Sequence, residues 1–173
     1  NSYLNGYWKS EKYFKNNEND IRNDLEIDEN LKNYITNKYP ILNENTLSIH
    51  VRRGDYVNLT DYHALQSIEY YKNGYDIIND NNINVLIFSD DINWCEKNLN
   101  FNNTHFIRNE NNITDLYMMS MCKHNIIANS SFSWWSAWLN LNSDKKIISP
   151  NKWFGDKNNL NTGDIIPEKW IKI

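Results

Sequence analysis

From Leu47 onward the chain alternates between short apolar runs and longer amphipathic stretches. The apolar, β-branched runs at 47–52, 84–89, 104–108, 124–128 and 146–149 predict strands. Between them, 65–80, 91–99, 113–122 and 131–141 space their apolar residues for helices. Strands joined by helices of this length need crossover connections, which build a parallel sheet from βαβ units. Ahead of this region Ile21, Leu25, Leu31, Tyr34 and Ile35 recur at helical spacing between Asp20 and Pro40. Residues 1–18, with Tyr7-Trp8 and Tyr13-Phe14 among mixed charges, predict a short helix or docking segment. The tail 150–173 is loop-rich, with Pro150, Gly155, Gly163 and Pro167 before a short Trp170-Ile171-Lys172-Ile173.

In open parallel sheets ligands bind beyond the carboxyl ends of the strands. Polar residues fall there after four of the five predicted strands: His50 to Asp55, Ser89-Asp90-Asp91, Asn129-Ser130-Ser131 and Ser149-Pro150. One such match would be weak; four on one rim mark a site. Arg52 and Arg53 bring guanidinium forks that match phosphate oxygens in geometry and charge. Alone, R-R-G-D reads as a charged turn closed by an Arg53–Asp55 pair. The second segment, Asn129-Ser130-Ser131-Phe132-Ser133, tips the balance, because it opens an apolar helix whose N-terminus favours an anion. Capping that helix needs only one of its serines. An arginine on one loop and a helix N-terminus on another could grip a diphosphate without a metal ion.

Composition narrows the function class. A length of 173 residues suits one α/β domain with an appendage, and the net charge of −4 argues against a general nucleic-acid binder. An anionic ligand must therefore be held by a local cluster. With 7 Trp and 11 Tyr the chain is rich in rings that could stack on sugars, although Trp134 and Trp138 share a helix face and read as core. Cys95 and Cys122 form no C-x-x-C pair and read as free buried thiols of a reducing compartment. No apolar run approaches a membrane span, and the first residues lack a signal-peptide pattern. A start at Asn1 rather than Met predicts a fragment. The sequons at Asn58, Asn102, Asn112 and Asn129 are expected by chance in so Asn-rich a chain.

Several chemistries fail at the motif level. G-x-G-x-x-G, the P-loop and G-x-S-x-G are all missing. His50, His63, His105 and His124 have no zinc spacing and read as hydrogen-bonded structural histidines. Asp24 to Asp28 lacks the glycine and terminal glutamate of a calcium loop. Asp90-Asp91 reads either as a helix N-cap or as a base-reading carboxylate.

Two elements are distinctive together: H-x-R-R-x-D-Y at His50–Tyr56 and A-N-S-S-F-S-W-W-x-A-W-L at Ala128–Leu139. With Phe88–Asp91, Asp115–His124, Ser149–Phe154 and the opening Tyr3–Phe14, the chain resembles the galactoside α-1,2-fucosyltransferases over nearly its whole length, in the family's order. That family's amino-terminal half, with its glycine-rich opening, has no counterpart here. The resemblance implies a Rossmann-like parallel sheet over 46–173, the donor-binding half of a GT-B-type glycosyltransferase. Residues 1–45 would be a helical segment linking from the missing acceptor half. It further implies inverting transfer of L-fucose from GDP-L-fucose to O2 of a galactose-terminated glycan, with no cofactor or metal. The setting it implies is microbial and cytoplasmic, peripheral to the inner face of the membrane. Within that expectation Arg52 stabilises the charge developing on the β-phosphate. Ser131, Phe132 and Ser133 hold the phosphates, and His50 and Asp90 take the guanosine. Arg53 and Asp55 either shape the loop or touch ligand. Asp61 is the candidate base for the acceptor hydroxyl, unless the missing half supplies it. Two other readings stay open: a fucosyltransferase of another linkage, and a non-catalytic nucleotide- or sugar-binding module.

Overall fold

The computed structural model describes residues 10–158, 160 and 162–173. The first half of the opening aromatic segment lies outside them. Six strands form one sheet, β1 (Thr46–Val51), β2 (Asn84–Ser89), β3 (Thr104–Phe106), β4 (His124–Ile126), β5 (Ile147–Ser149) and β6 (Ile171–Lys172), in the order β3-β2-β1-β4-β5-β6. Every pairing is parallel, as the strand–helix alternation requires. This is a Rossmann-like α/β fold. The sixth strand is absent from the sequence reading because two exposed residues carry no periodicity; backbone bonds from Ile173 N to Ser149 O and from Asn151 N to Ile173 O hold it in place.

β1 is buried along its whole length, with Leu47, Ile49 and Val51 on its apolar face and Thr46, Ser48 and His50 on the other. Leu47, Ile49 and Val51 meet Tyr70, Tyr71 and Ile78 of α3 (Ile68–Ile78) and Cys95 of α4 (Ile92–Asn98). On the other face Leu86 and Phe88 of β2 pack with Ile35 of α2 (Glu29–Lys38) and Met118 and Met119 of α5 (Asn112–Met121). A third cluster gathers Trp134, Ala137 and Trp138 of α6 (Ser131–Leu139) with Ile147, Trp153, Ile165 and Trp170. Trp134 donates its indole N–H to Ile165 O at 2.7 Å, and Trp134 and Trp138 are both buried core, as expected. Cys95 and Cys122 are free and buried; burial pushes their thiols up to about 11 and about 12.

The helix predicted over 19–38 is two. The first, α1 (Glu18–Asp24), ends with Leu25 as its C-cap, and Asp28 caps α2 by accepting from Asn30 N and Leu31 N. The described part of the segment expected to link two halves is a layer of this same body. Phe14 stacks on Trp135 with ring centroids 5.5 Å apart, Arg22 lies 3.9 Å over the Trp138 ring, and Ile35 is fully buried. Among the described residues no helix is long and apolar enough to cross a membrane.

Candidate functional site

The chain runs outward from β1 through β2 to β3, then returns to place β4 on the other side of β1. Order reverses between β1 and β4, so no crossover covers the gap beyond their carboxyl ends. A cavity of about 230 Å³ lies there. β1 and its exit supply His50 and Arg52, β2 supplies Phe88 and Ser89 with Asp90 just beyond, the first turn of α5 supplies Asn112 and Asp115, and the start of α6 supplies Ser130 and Phe132. In a βαβ unit the helix following a strand begins at that same rim, which is why two helix starts meet two strand ends.

Arg52 is gripped from two sides. Its Nη2 reaches Asp55 Oδ1 at 2.8 Å and its Nη1 reaches Asp90 Oδ2 at 3.0 Å, while Asp90 Oδ1 accepts from Arg53 N at 2.9 Å. Each terminal nitrogen keeps a second N–H for a ligand. Gly54 makes the grip possible, since a Cβ there would sit 2.6 Å from Asp90 Oδ2. Gly54→Ala must push the carboxylate aside, releasing both Arg52 Nη1 and Arg53 N–H. We expect affinity for pyrophosphate, measured by calorimetry, to fall about tenfold, the worth of one charge-assisted hydrogen bond, with little change in Tm. Unchanged affinity would show that the Asp90 grip does not matter.

His50 is 6 % exposed and its Nδ1 has no hydrogen-bond partner. Burial, with Arg52 assisting against Asp90, pulls it down to about 4, so the ring is neutral at ordinary pH. Asp115 is the opposite case. Burial and then the neighbouring charge of Glu110 push its carboxyl up to about 6, and its Oδ1 is buried without a partner.

A twice-held arginine, a helix start and an unsatisfied carboxyl thus surround one cavity. The profile described as glycosyl transferase family 11 matches residues 1–173. The chain belongs to glycosyl transferase family 11. It is 38% identical over 189 aligned residues to an alpha-1,2-colitosyltransferase of Escherichia coli, covering 97% of this chain and 61% of that protein. It is also 36% identical over 163 residues to the O-antigen biosynthesis glycosyltransferase WbnK of Escherichia coli, covering 86% of this chain and 53% of that protein. The chain therefore spans between about half and three-fifths of the length of these relatives.

Within this family-11 chain the sequence-predicted residues divide. Arg52, His50, Asp90 and Phe132 line the cavity. The Arg53–Asp55 pair of the charged-turn reading does not form. Successive residues leave a strand on opposite sides, so Arg52 turns to the cavity and takes Asp55, whereas Arg53 turns toward α4. There Arg53 Nε meets Asp91 Oδ2 at 3.3 Å and its guanidinium lies 3.9 Å over the Trp94 ring. Asp91 is the N-cap of α4, accepting from Trp94 N. Asp90 clamps the arginines, with one oxygen on Arg52 and the other on Arg53 N. Ser133 is buried and donates inward to Ala128 O and Ser130 O, so its hydroxyl does not face the cavity; Ser130, the N-cap of α6, lines it instead. Ser131 is exposed in the first turn of that helix. Asp61 does not line the cavity and is ion-paired with Lys157.

The histidines also separate. His124 is structural, accepting from Lys146 N at 2.9 Å. His63 stacks on Tyr56 with centroids 4.3 Å apart, and Tyr56 in turn donates to Asn129 O at 3.2 Å, which ties the arginine loop to the end of β4. His50 departs from the expectation of a hydrogen-bonded histidine. Asp115 was missed because an acid in a helix's first turn is unremarkable in sequence. The available signal was topological: the helix after β3 must begin at the site's rim. Among the described residues no group of three or more metal-ligating side chains occurs. A larger cavity of about 600 Å³ lies at the opposite end of α6, where Arg22 donates to Trp138 O and Lys145 to Asn140 O. Those bonds satisfy helix-terminal carbonyls, and the cavity shares none of the rim residues.

Proposed function

We propose that the complete protein transfers L-fucose from GDP-L-fucose to O2 of a terminal galactose, with inversion at the sugar and without a metal ion. One observation carries this reading: Arg52, fixed by Asp55 and Asp90, faces a cavity at the switch point beside the start of α6. Departure of GDP places charge on the β-phosphate, and a fixed guanidinium aimed there stabilises the transition state more than the ground state. Ser130 and the first turn of α6 complete the phosphate grip. The guanine falls to Asp115, because a carboxylate with an unpartnered oxygen can accept from N1–H and N2–H, whereas Asp90 is committed to the arginines. This chain is then the donor half of a two-domain GT-B transferase. Asp61 can serve the acceptor hydroxyl only where the acceptor approaches over the loop beyond Arg52 and the Lys157 ion pair opens; a base from the preceding part of the protein is the alternative. Similarity to an alpha-1,2-colitosyltransferase supports a 1,2-linkage and favours a second reading in which the sugar is colitose.

Calorimetry of this chain with GDP in EDTA tests the donor site. We expect weak, metal-independent binding and little or no transfer, since productive orientation needs both walls of the cleft. Binding that strictly required magnesium would contradict the arginine-and-helix account. Robust transfer by this chain alone would contradict the two-domain account. With the full-length protein, offering nucleotide-activated fucose and colitose in turn and determining the product linkage by NMR decides sugar and position.

A further inference from the structure

Glu110 has an environment that the donor site does not explain. Its side chain is only 4 % exposed, and three donors from one helix and its end converge on it: Lys38 Nζ at 2.5 Å, Tyr39 OH at 2.7 Å, and Tyr34 OH at 3.2 Å from both carboxylate oxygens. Lys38 also donates to Tyr34 OH at 2.8 Å, so the cage is linked within itself. An ion pair with a half-exposed lysine is weak evidence of stability; three donors converging on one closed-off carboxylate better explain a fixed geometry. What Glu110 fixes is the start of α5. The next residue, Asn111, caps that helix by accepting from Thr114 N at 2.9 Å, and Asp115 follows in its first turn.

We propose that Glu110 is a positioning residue for the nucleotide end of the cavity: the donors gathered by α2 set the first turn of α5, and its charge acts on the Asp115 carboxyl. The proposal rests on Asp115 as the nucleotide contact. Other charges around Asp115 are already accounted for. Arg52 and Asp90 are paired with each other across the cavity, His50 is neutral, and Arg108 turns away to Glu96 at 2.6 Å. Glu110 stays ionised, since its bonds to Lys38 and Tyr39 outweigh the burial that would otherwise raise it. A fixed negative charge thus stands behind the one carboxyl that must be free to accept from a ligand.

The test follows the Asp115 carboxyl by NMR titration in this chain and in two variants, and GDP affinity against pH by calorimetry. Glu110→Gln keeps the shape and removes the charge, so the midpoint should fall by about half a unit or more. Lys38→Met removes the screening cation and should move it upward; Lys38→Gln serves if the Met variant does not fold. The acid limb of GDP binding should shift in the same directions. Opposite shifts are beyond a merely structural role. Midpoints unmoved in folded variants, or moved the same way in both, would overturn the proposal. If the midpoints move oppositely while GDP fails to bind at all, the nucleotide reading falls and the coupling stands.

Discussion

Arg52→Lys in the full-length protein should lower kcat by about 100- to 1000-fold, the loss seen when one preorganised donor to a developing oxyanion is removed. The donor KM should change far less. Lysine keeps the charge, yet one ammonium cannot meet Asp55 at 2.8 Å and Asp90 at 3.0 Å and still present a directed N–H to the phosphate. The leaving diphosphate carries its largest charge in the transition state, so the damage falls on kcat. Arg53→Lys should cost only a few-fold, because Arg53 rests against Trp94 and Asp91 outside the cavity. Steady-state kinetics of both variants decide the assignment. A near-wild-type Arg52→Lys beside an inactive Arg53→Lys would exchange the two roles, and two near-wild-type variants would move the donor site elsewhere.

Asp115→Asn should separate affinity from stability. The amide presents a donor where guanine needs an acceptor, so we expect GDP affinity to drop by about 10- to 100-fold, in line with losing charge-assisted hydrogen bonds. Stability should move the other way. Asp115 has its carboxyl raised in the fold to about 6 from an ordinary 3.8. A raised acid contributes fully below the lower value and loses that contribution as pH climbs through the higher one. At pH 7.5 the ionised carboxylate is therefore a liability that asparagine removes, and Tm should rise; at pH 3.5 the difference should vanish. Wild-type GDP binding should weaken as pH falls through about 6. A variant that binds GDP normally would take Asp115 out of the nucleotide site, and a Tm gain equal at both pH values would contradict its burial as a charge.

Much of this architecture is written in local pattern. The run Leu47–Val51 is long and apolar enough to be a central strand on sight, and Ser67, Asp91, Asn111 and Ser130 cap the helices that follow it. The arginine loop and the serine turn were legible because strand ends in such a sheet face one rim. The phase of β1 is legible too, since Thr46, Ser48 and His50 alternate with Leu47, Ile49 and Val51 and put Arg52 on the side of His50. What escaped was side-chain direction within the serine turn. Sequence does not reveal that the Ser133 hydroxyl bonds back to Ala128 O, which leaves that residue only its backbone to face the cavity. Asp115 and Glu110 lie in one helix start, yet their meaning comes from Tyr34, Lys38 and Tyr39, more than 70 residues earlier. Periodicity carries no information at that range.

The central place of β1 also bears on how the protein comes to be made. Ser48 of β1 and Asn125 of β4, hydrogen-bonded at 2.7 Å, are 77 residues apart in the chain. A ribosome that has released the arginine loop must add all of α3, β2, α4, β3 and α5 before the strand completing the switch point exists. Contacts so distant in sequence form slowly and leave strand edges open meanwhile. The cavity at the switch point thus cannot close before β4 and α6 have emerged, and until β4 docks, the flank of β1 is exposed to whatever else it meets.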